Sequence, residues 1–350
     1  MINRRTLLKS GLFAALGAPA LNVLAQTKPE ILSFHTFLPE DSSLWVNGFK
    51  VWMDKIEKES DGRIKFEAFP SMQKGGAPKN LVDQVRRGTA DIVWSLPGLT
   101  PGRFAMTEVF ELPFFTYDGI GSSRAAWEFV SENAMVELRD FHLLAFHTHS
   151  RGVLHTREKA VKSAADLKGL KIPGSTRKVT QLLEISGAKP VSTPEANIAE
   201  HLSKGSIDGA LLSWEMAGDL KTNDLTKHHT ETPDSLPAIF NTTHFMLMNP
   251  KRYASLPADL KKVIDSNSGI EASAFLGQVL ETQGQAARKA AVEKGADIHV
   301  MGQSEAEEWT KMTAKMEQEW INSMSITSGH DGPKILAAAK AAIQKYRPKA

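Results

Sequence analysis

Apolar residues recur along the chain in two spacings. Ile31-Leu32-Ser33-Phe34 is a short apolar run that predicts an opening strand. Behind Asp41, Ser42 and Ser43, residues suited to capping a helix, Trp45, Phe49, Trp52, Met53 and Ile56 fall on one helical face. Asp61-Gly62 turns the chain, and Ile64, Phe66 and Ala68 then alternate with Arg63, Lys65 and Glu67 as in a half-buried strand. Gly75-Gly76-Ala77-Pro78 opens a helix carrying Leu81, Val82 and Val85, which Gly88 ends. Asp91 to Trp94 is the next strand. A β-α-β-α-β order predicts a parallel or mixed sheet covered by helices.

A second run of the same kind follows. Strands are predicted at Leu143–His147, Leu170–Ile172, Val191 and Ile207–Leu212. Between them lie helices from Thr176 to Ser186, with Val179, Leu182 and Leu183 inward, and from Thr193-Pro194 to Gly205. Phe245 to Met248 forms another strand. Ser255-Leu256-Pro257 caps one long helix, whose apolar face runs through Leu260, Ile264, Leu276 and Leu280 and is long enough to cross two lobes. Ile298 and Val300 mark a late strand. Trp309, Met312, Met316 and Trp320 stripe one final helix, and Ile335, Leu336, Ala339 and Ile343 the other. Two α/β sheets without a Pro/Ser-rich hinge predict two lobes joined by short crossings, closing on a ligand in the cleft between them.

Composition narrows the function. The chain has 350 residues, 41% hydrophobic and 23% charged, which excludes a disordered or collagen-like protein. The net charge is only +2, so nucleic acid is not an expected partner. Residues 1–25 carry Arg4, Arg5 and Lys9 and no acid, then the short apolar run Leu12 to Ala18 and the small-residue end Val23-Leu24-Ala25. This reads as an export signal cleaved before Gln26, and Arg4-Arg5 resembles the twin-arginine type. No apolar stretch reaches the roughly 20 residues of a membrane span. Cysteine is absent, which removes thiol chemistry and Cys-based zinc sites.

Each candidate chemistry competes with plain packing. His147, His149 and His155, with His228-His229, lack a completing carboxylate at metal-ligand spacing, and no metal is expected. There is no Gly-x-Ser-x-Gly elbow and no phosphate loop, so neither a serine triad nor a nucleotide cofactor is predicted; Ser213 reads as strand-end packing. Pro173-Gly174-Ser175-Thr176-Arg177 joins a strand to a helix start, where free N–H groups and the Arg177 fork suit a carboxylate. Arg151 follows the His147–His149 strand. Surface ion pairing is the competing reading for both arginines, and spacing alone leaves it open. Trp94 and Trp214 end strands and Phe240 precedes one, positions that suit a cleft wall as well as a core.

At these residues the chain resembles the DctP-type solute-binding proteins of TRAP transporters. The matching text runs in order through Gly62-Arg63-Ile64, Pro70-Ser71-Met72-Gln73, Gly88-Thr89-Ala90-Asp91 and Glu111-Leu112-Pro113-Phe114. It continues through Asp166 to Ile172, Gly187 to Val191, Lys204 to Gly209 and Ser255 to Leu260. The resemblance implies two discontinuous lobes, 26–150 plus about 240–284 and 151–239 plus about 285–350, sharing a long helix. It implies a periplasmic, non-enzymatic receptor that delivers a small organic acid to a membrane permease. The family arginine that usually follows the Leu-Lys-Gly-Leu-Lys-Ile strand is replaced here by Pro173. A branch with the Pro97 to Phe104 motif and a Trp-Glu like Trp214-Glu215 carries its arginine at Arg177, the expected grip; Arg151 matches the family's second. By the same analogy Gln73, His35, Phe37, Asn241, Thr243 and His149 enter the cleft, with Trp94, Trp214 and Phe240 as apolar wall. Such a wall fits an aromatic or branched hydrophobic carboxylate better than a sugar acid. The alternative is an exported α/β enzyme acting on a carboxylic acid, with His149 or His244 as base.

Overall fold

The computed structural model describes residues 28–348; the expected export signal lies outside them. Strands run at β1 (Glu30–His35), β2 (Ile64–Phe69), β3 (Ile92–Ser95), β4 (His142–Thr148), β5 (Gly152–Thr156), β6 (Lys171–Pro173), β7 (Lys189–Val191), β8 (Gly209–Ser213), β9 (His228–Glu231), β10 (Thr243–Met248) and β11 (Asp297–Val300). They form two mixed sheets, ordered β2-β1-β3-β10-β4 and β11-β9-β5-β8, with β6-β7 as a separate pair. In the first, β1 is parallel to β2 and β3, while β10 is antiparallel to both β3 and β4. Every residue of β10 is buried, as suits an apolar strand central in a sheet covered on both faces.

Three segments cross between the two sheets. His149–Arg151 leads from β4 into β5, residues 232–242 lead from β9 into β10, and the helix Gly269–Glu293 passes alongside both. The first two touch backbone to backbone: a Cβ at Gly152 would stand 2.3 Å from the carbonyl oxygen of Phe240. The helix packs as closely on the helix Gly119–Phe129, where a Cβ at Gly277 would meet the Gly119 carbonyl oxygen at 2.0 Å.

Two expectations need revision. The predicted long helix is broken into Ala258–Ser266 and Gly269–Glu293. Its apolar stripe continues in phase, but Ser266-Asn267-Ser268-Gly269 are poor helix formers, Trp52 Nε1 donates to the Asn267 carbonyl at 2.7 Å, and Gly269 takes φ +86°. The C-terminal helices, expected in the second lobe, touch both lobes: Gln303–Ser328 packs on the helix Arg177–Ile185 of the second as well as on the first, and Gly332–Tyr346 packs on Gly119–Phe129 of the first. Trp320 Nε1, in the helix Gln303–Ser328, donates to the Ala105 carbonyl at 3.0 Å. Tyr346, ending the helix Gly332–Tyr346, donates to Glu128 at 2.6 Å. The helix Gly119–Phe129 and the strands β5 and β9 were not anticipated from the sequence.

Candidate functional site

Between the lobes lies a narrow cavity of about 60 Å³, room for a few waters, so a larger ligand enters only when the lobes part. The first lobe supplies Phe37, Leu38, Trp94, Leu96 and His244, with Leu280 from the long helix. The second supplies Ser175, Leu211, Leu212, Ser213 and Met216, and the crossings add His149, Phe240 and Thr242. Trp94 and Ser213 stand at the carboxyl ends of β3 and β8, where open α/β sheets present their ligand sites.

Hydrogen bonds and stacking fix the aromatic floor. Trp94 Nε1 donates to His147 Nε2 at 2.9 Å, so His147 carries its proton on Nδ1 and gives it to the Thr148 carbonyl at 3.1 Å. The His244 ring stacks on Trp94 at 4.8 Å and 9°, and on His147 at 5.0 Å. Phe37 packs on Trp94 at 5.4 Å. His149 accepts from the Thr242 N–H at 3.0 Å on Nε2 and donates from Nδ1 to its neighbour's carbonyl, Ser150, at 2.5 Å. Burial holds His147 and His149 neutral, pushed down to about 4, and holds His244 well below the ordinary range, helped by the two histidines beside it.

Among the described residues no lysine or arginine lines the cavity; its ionisable rim is acidic. Burial lifts Glu215 to about 7 although Ser150 Oγ donates to it at 2.5 Å. Glu195, whose outer surface remains partly exposed, is likewise lifted to about 7 by burial of its carboxyl and by Asp219. Asp219, raised by burial, ties the lobes together: Ser43 donates its N–H at 3.0 Å and its hydroxyl at 2.6 Å to the two carboxylate oxygens.

Of the residues expected in the site, Trp94, Phe37, Phe240 and His149 stand in the cavity wall. The others do not. Arg177 places its guanidinium 2.5 Å from Glu108, with half of the side chain exposed. Thr176 caps the helix by accepting from Val179 N–H at 3.3 Å, which makes Arg177 the first helical residue, beside the buried Glu108 rather than in the cleft. Lys178, buried, sits 3.8 Å from the same oxygen. Arg151 is committed to carbonyls, donating to Tyr117 at 2.7 Å and to Pro233 and Leu236 at 2.8 Å each, and so clamps the second crossing. Trp214 donates to Glu231 at 2.8 Å and faces the opposite side of the second lobe. Gln73 is exposed, and the buried His35 ring pairs with Gln84 at 2.8 Å. Asn241 bonds the His149 backbone, while the Thr243 N–H and hydroxyl both serve Glu111, a carboxyl that burial pushes up to about 7. The sequence reading missed Leu211, Leu212, Met216 and Leu280 and assigned Ser213 to packing; the strand-end signal that pointed to Trp214 lay one residue too late.

Residues 34–323 match the family of bacterial extracellular solute-binding proteins, family 7. The chain belongs to that family. Its fold is that of TRAP solute-binding proteins. One from Rhodoferax ferrireducens T118, in complex with copurified benzoate, is 44% identical with a TM-score of 0.87, over 91% of this chain and 98% of that one. A marine metagenome protein specific for aromatic acid ligands, co-crystallised with 3-hydroxybenzoate, is 40% identical with a TM-score of 0.87, over 92% and 100%. One from Bordetella bronchiseptica, with bound (R)- and (S)-mandelate, is 27% identical with a TM-score of 0.83, over 91% and 99%. No helix among the described residues is long and apolar enough to cross a membrane.

Proposed function

We propose that this chain is the periplasmic receptor of a TRAP transporter for a small aromatic acid of the benzoate type. It captures the acid between its lobes and delivers it to the membrane permease without chemical change. The observation that carries the ligand class is the cavity wall, whose surface is mostly apolar and is built around Phe37, Trp94 and Phe240 with leucines from both lobes. A flat ring gains there by burial, whereas a sugar acid would press several hydroxyls against mostly apolar surface. The benzoate and 3-hydroxybenzoate bound by relatives at 44% and 40% identity support the same class.

The enzymatic alternative is weakened because His149, one candidate base, has both ring nitrogens engaged. Calorimetric titration of the purified protein tests the reading: benzoate and hydroxybenzoates are expected to bind, and sugar acids are not. Binding confined to polyhydroxylated acids would overturn the ligand class. Benzoate recovered altered after incubation would overturn the receptor reading.

A further inference from the structure

An anion closed into this cavity meets no positive side chain: among the described residues no lysine or arginine lines it, and Glu195, Glu215 and Asp219 do. The histidines of the floor do not supply the charge. His147 and His149 have both ring nitrogens engaged, and His244 Nδ1 is enclosed without a partner, so a second proton on any of them would have no acceptor. Two carboxylates enclosed together without a cation do not both stay ionised; one proton between them is the stable arrangement.

Of the three acids, Glu215 is the one built to hold that proton. It is 3% exposed, whereas the outer surface of Glu195 stays partly exposed and Asp219 has both oxygens bound by Ser43. Glu215 lies in the first turn of the helix Trp214–Asp219, directly after β8, and the first crossing closes over it. Ser150 Oγ donates to Oε2 at 2.5 Å, and Ser150 N–H reaches Oε1 only at 3.4 Å. The long helix backs Oε2, since a Cβ at Gly284 would stand 3.0 Å from it. These hydrogen bonds come from serine, not from a cation. The short one makes Oε2 the acceptor and leaves the proton to Oε1. An O–H there needs an acceptor, and the cavity has room for water in the free protein and, once the lobes part, for a carboxylate oxygen.

We propose that Glu215 carries a proton on Oε1 and shares it with the ligand carboxylate, a carboxyl–carboxylate pair standing where a salt bridge to arginine would otherwise be. The inference rests on the aromatic-acid reading. From the long helix Glu281 adds to the repulsion at Glu215, while Arg288 stays on Glu231. From the crossing come neutral His149 and Arg151, which is committed to carbonyls; β8 ends in uncharged Ser213. Asp219 shares its helix, and Glu195 and His244 complete the ionisable wall. Burial already lifts free Glu215 to about 7, and a carboxylate beside it lifts the pair further. Above about pH 7 the complex therefore takes up a proton from solvent as it forms. Affinity is highest and flat below about pH 7, falls as pH rises, and levels off above the pKa of the pair.

Benzoate is the probe. Titration calorimetry from about pH 6 to about pH 9, in buffers of different ionisation enthalpy, is expected to show little proton uptake at the acid end, uptake approaching about one near pH 8, and affinity falling by up to about tenfold per pH unit above pH 7. Glu215→Gln keeps an N–H donor but cannot titrate. It is expected to lose that fall and, at about pH 9, to bind benzoate about tenfold or more tighter than the wild type, a gain that misfolding does not produce. Difference infrared spectra of the wild type with carbon-13-labelled benzoate at about pH 8 need no variant: a protonated carboxyl band is expected to appear on binding. An affinity independent of pH, a fall retained in Glu215→Gln, a fall abolished only in Glu195→Gln, or no protonated carboxyl appearing would overturn the proposal with benzoate binding intact. No benzoate binding at any pH would instead overturn the reading of function beneath it.

Discussion

Each sheet buries histidines under a tryptophan, and the two arrangements do different things. In the first lobe Trp94 gives its N–H to His147, and its ring lies flat against His244 at the cavity. In the second, Trp214 gives its N–H to Glu231, which Arg288 also holds at 2.6 Å, and lies over His155 and His229 on the far side of the lobe. The ring nitrogens Nδ1 of that histidine pair stand 2.7 Å apart, so one donates and the other accepts. Both tryptophans close strand ends, and by sequence they are equivalent. The partner of the indole N–H separates them: an imidazole in the floor turns one ring to the cleft, and an ion-paired carboxylate anchors the other away from it.

The largest expected effect breaks the comparison at the tryptophans. Trp94→Ala is expected to cost about 3–5 kcal/mol of stability, as for other large core truncations, and to abolish benzoate binding. Trp214→Phe is expected to cost about 1–3 kcal/mol, through the lost indole hydrogen bond to Glu231, whose Oε2 keeps only Arg288 Nε at 3.2 Å, while benzoate affinity stays unchanged. Denaturant melts alongside calorimetry check both, and loss of binding in Trp214→Phe would restore it to the site.

Next comes acid. His155 and His229 are both held below the ordinary histidine range, His229 at about 4, chiefly by burial. Their unfolded forms take up protons near 6.5 while the folded forms do not, so this pair lowers stability as pH falls from about 6.5 to about 4. The raised carboxyls Glu111, Glu195 and Glu215 act with the opposite sign from about 7 downward, so the pair is read by difference. The double variant His155→Leu/His229→Leu is expected to lose less stability between pH about 6.5 and about 4 than the wild type. Parallel slopes would contradict the buried neutral pair.

The clasp between Ser43 and Asp219 comes third. Ser43→Ala removes one hydroxyl donor across the lobes and is expected to weaken benzoate binding by about 0.5–1.5 kcal/mol, with the unliganded scattering profile shifted toward a larger radius of gyration. The smallest effect is expected for Arg177→Ala. Its half-exposed guanidinium pairs with the buried Glu108 outside the cavity, so benzoate affinity should change by no more than about 1 kcal/mol. A loss of about 2–5 kcal/mol, the range for one partner of a buried charge pair, would return Arg177 to the carboxylate.

Most of the fold was legible because it rests on periodicity. The stripes from Trp45 to Ile56 and from Trp309 to Trp320, and the alternation at Ile64–Ala68, became the elements they predict. The break at Asn267 was not, since an apolar stripe in phase conceals a two-residue interruption. β9 was hidden because His228-His229-Thr230-Glu231 carries no aliphatic residue. The site was half legible. Strand-end position pointed to Trp94 and Phe240, and the family resemblance to Phe37 and His149, all of which line the cavity. The arginines were not legible from a helix start or a family position, because whether a guanidinium faces a ligand, a carbonyl cage or a buried glutamate depends on contacts such as Arg151 with Leu236 or Arg177 with Glu108 between residues far apart in sequence.

A crystal structure of the protein with benzoate tests the central claim most directly. The account predicts the ring between the Phe37–Trp94 wall and Phe240, inside the cavity between the lobes. A carboxylate seated on Arg177 with Glu108 displaced, or benzoate bound anywhere but between the lobes, would contradict it.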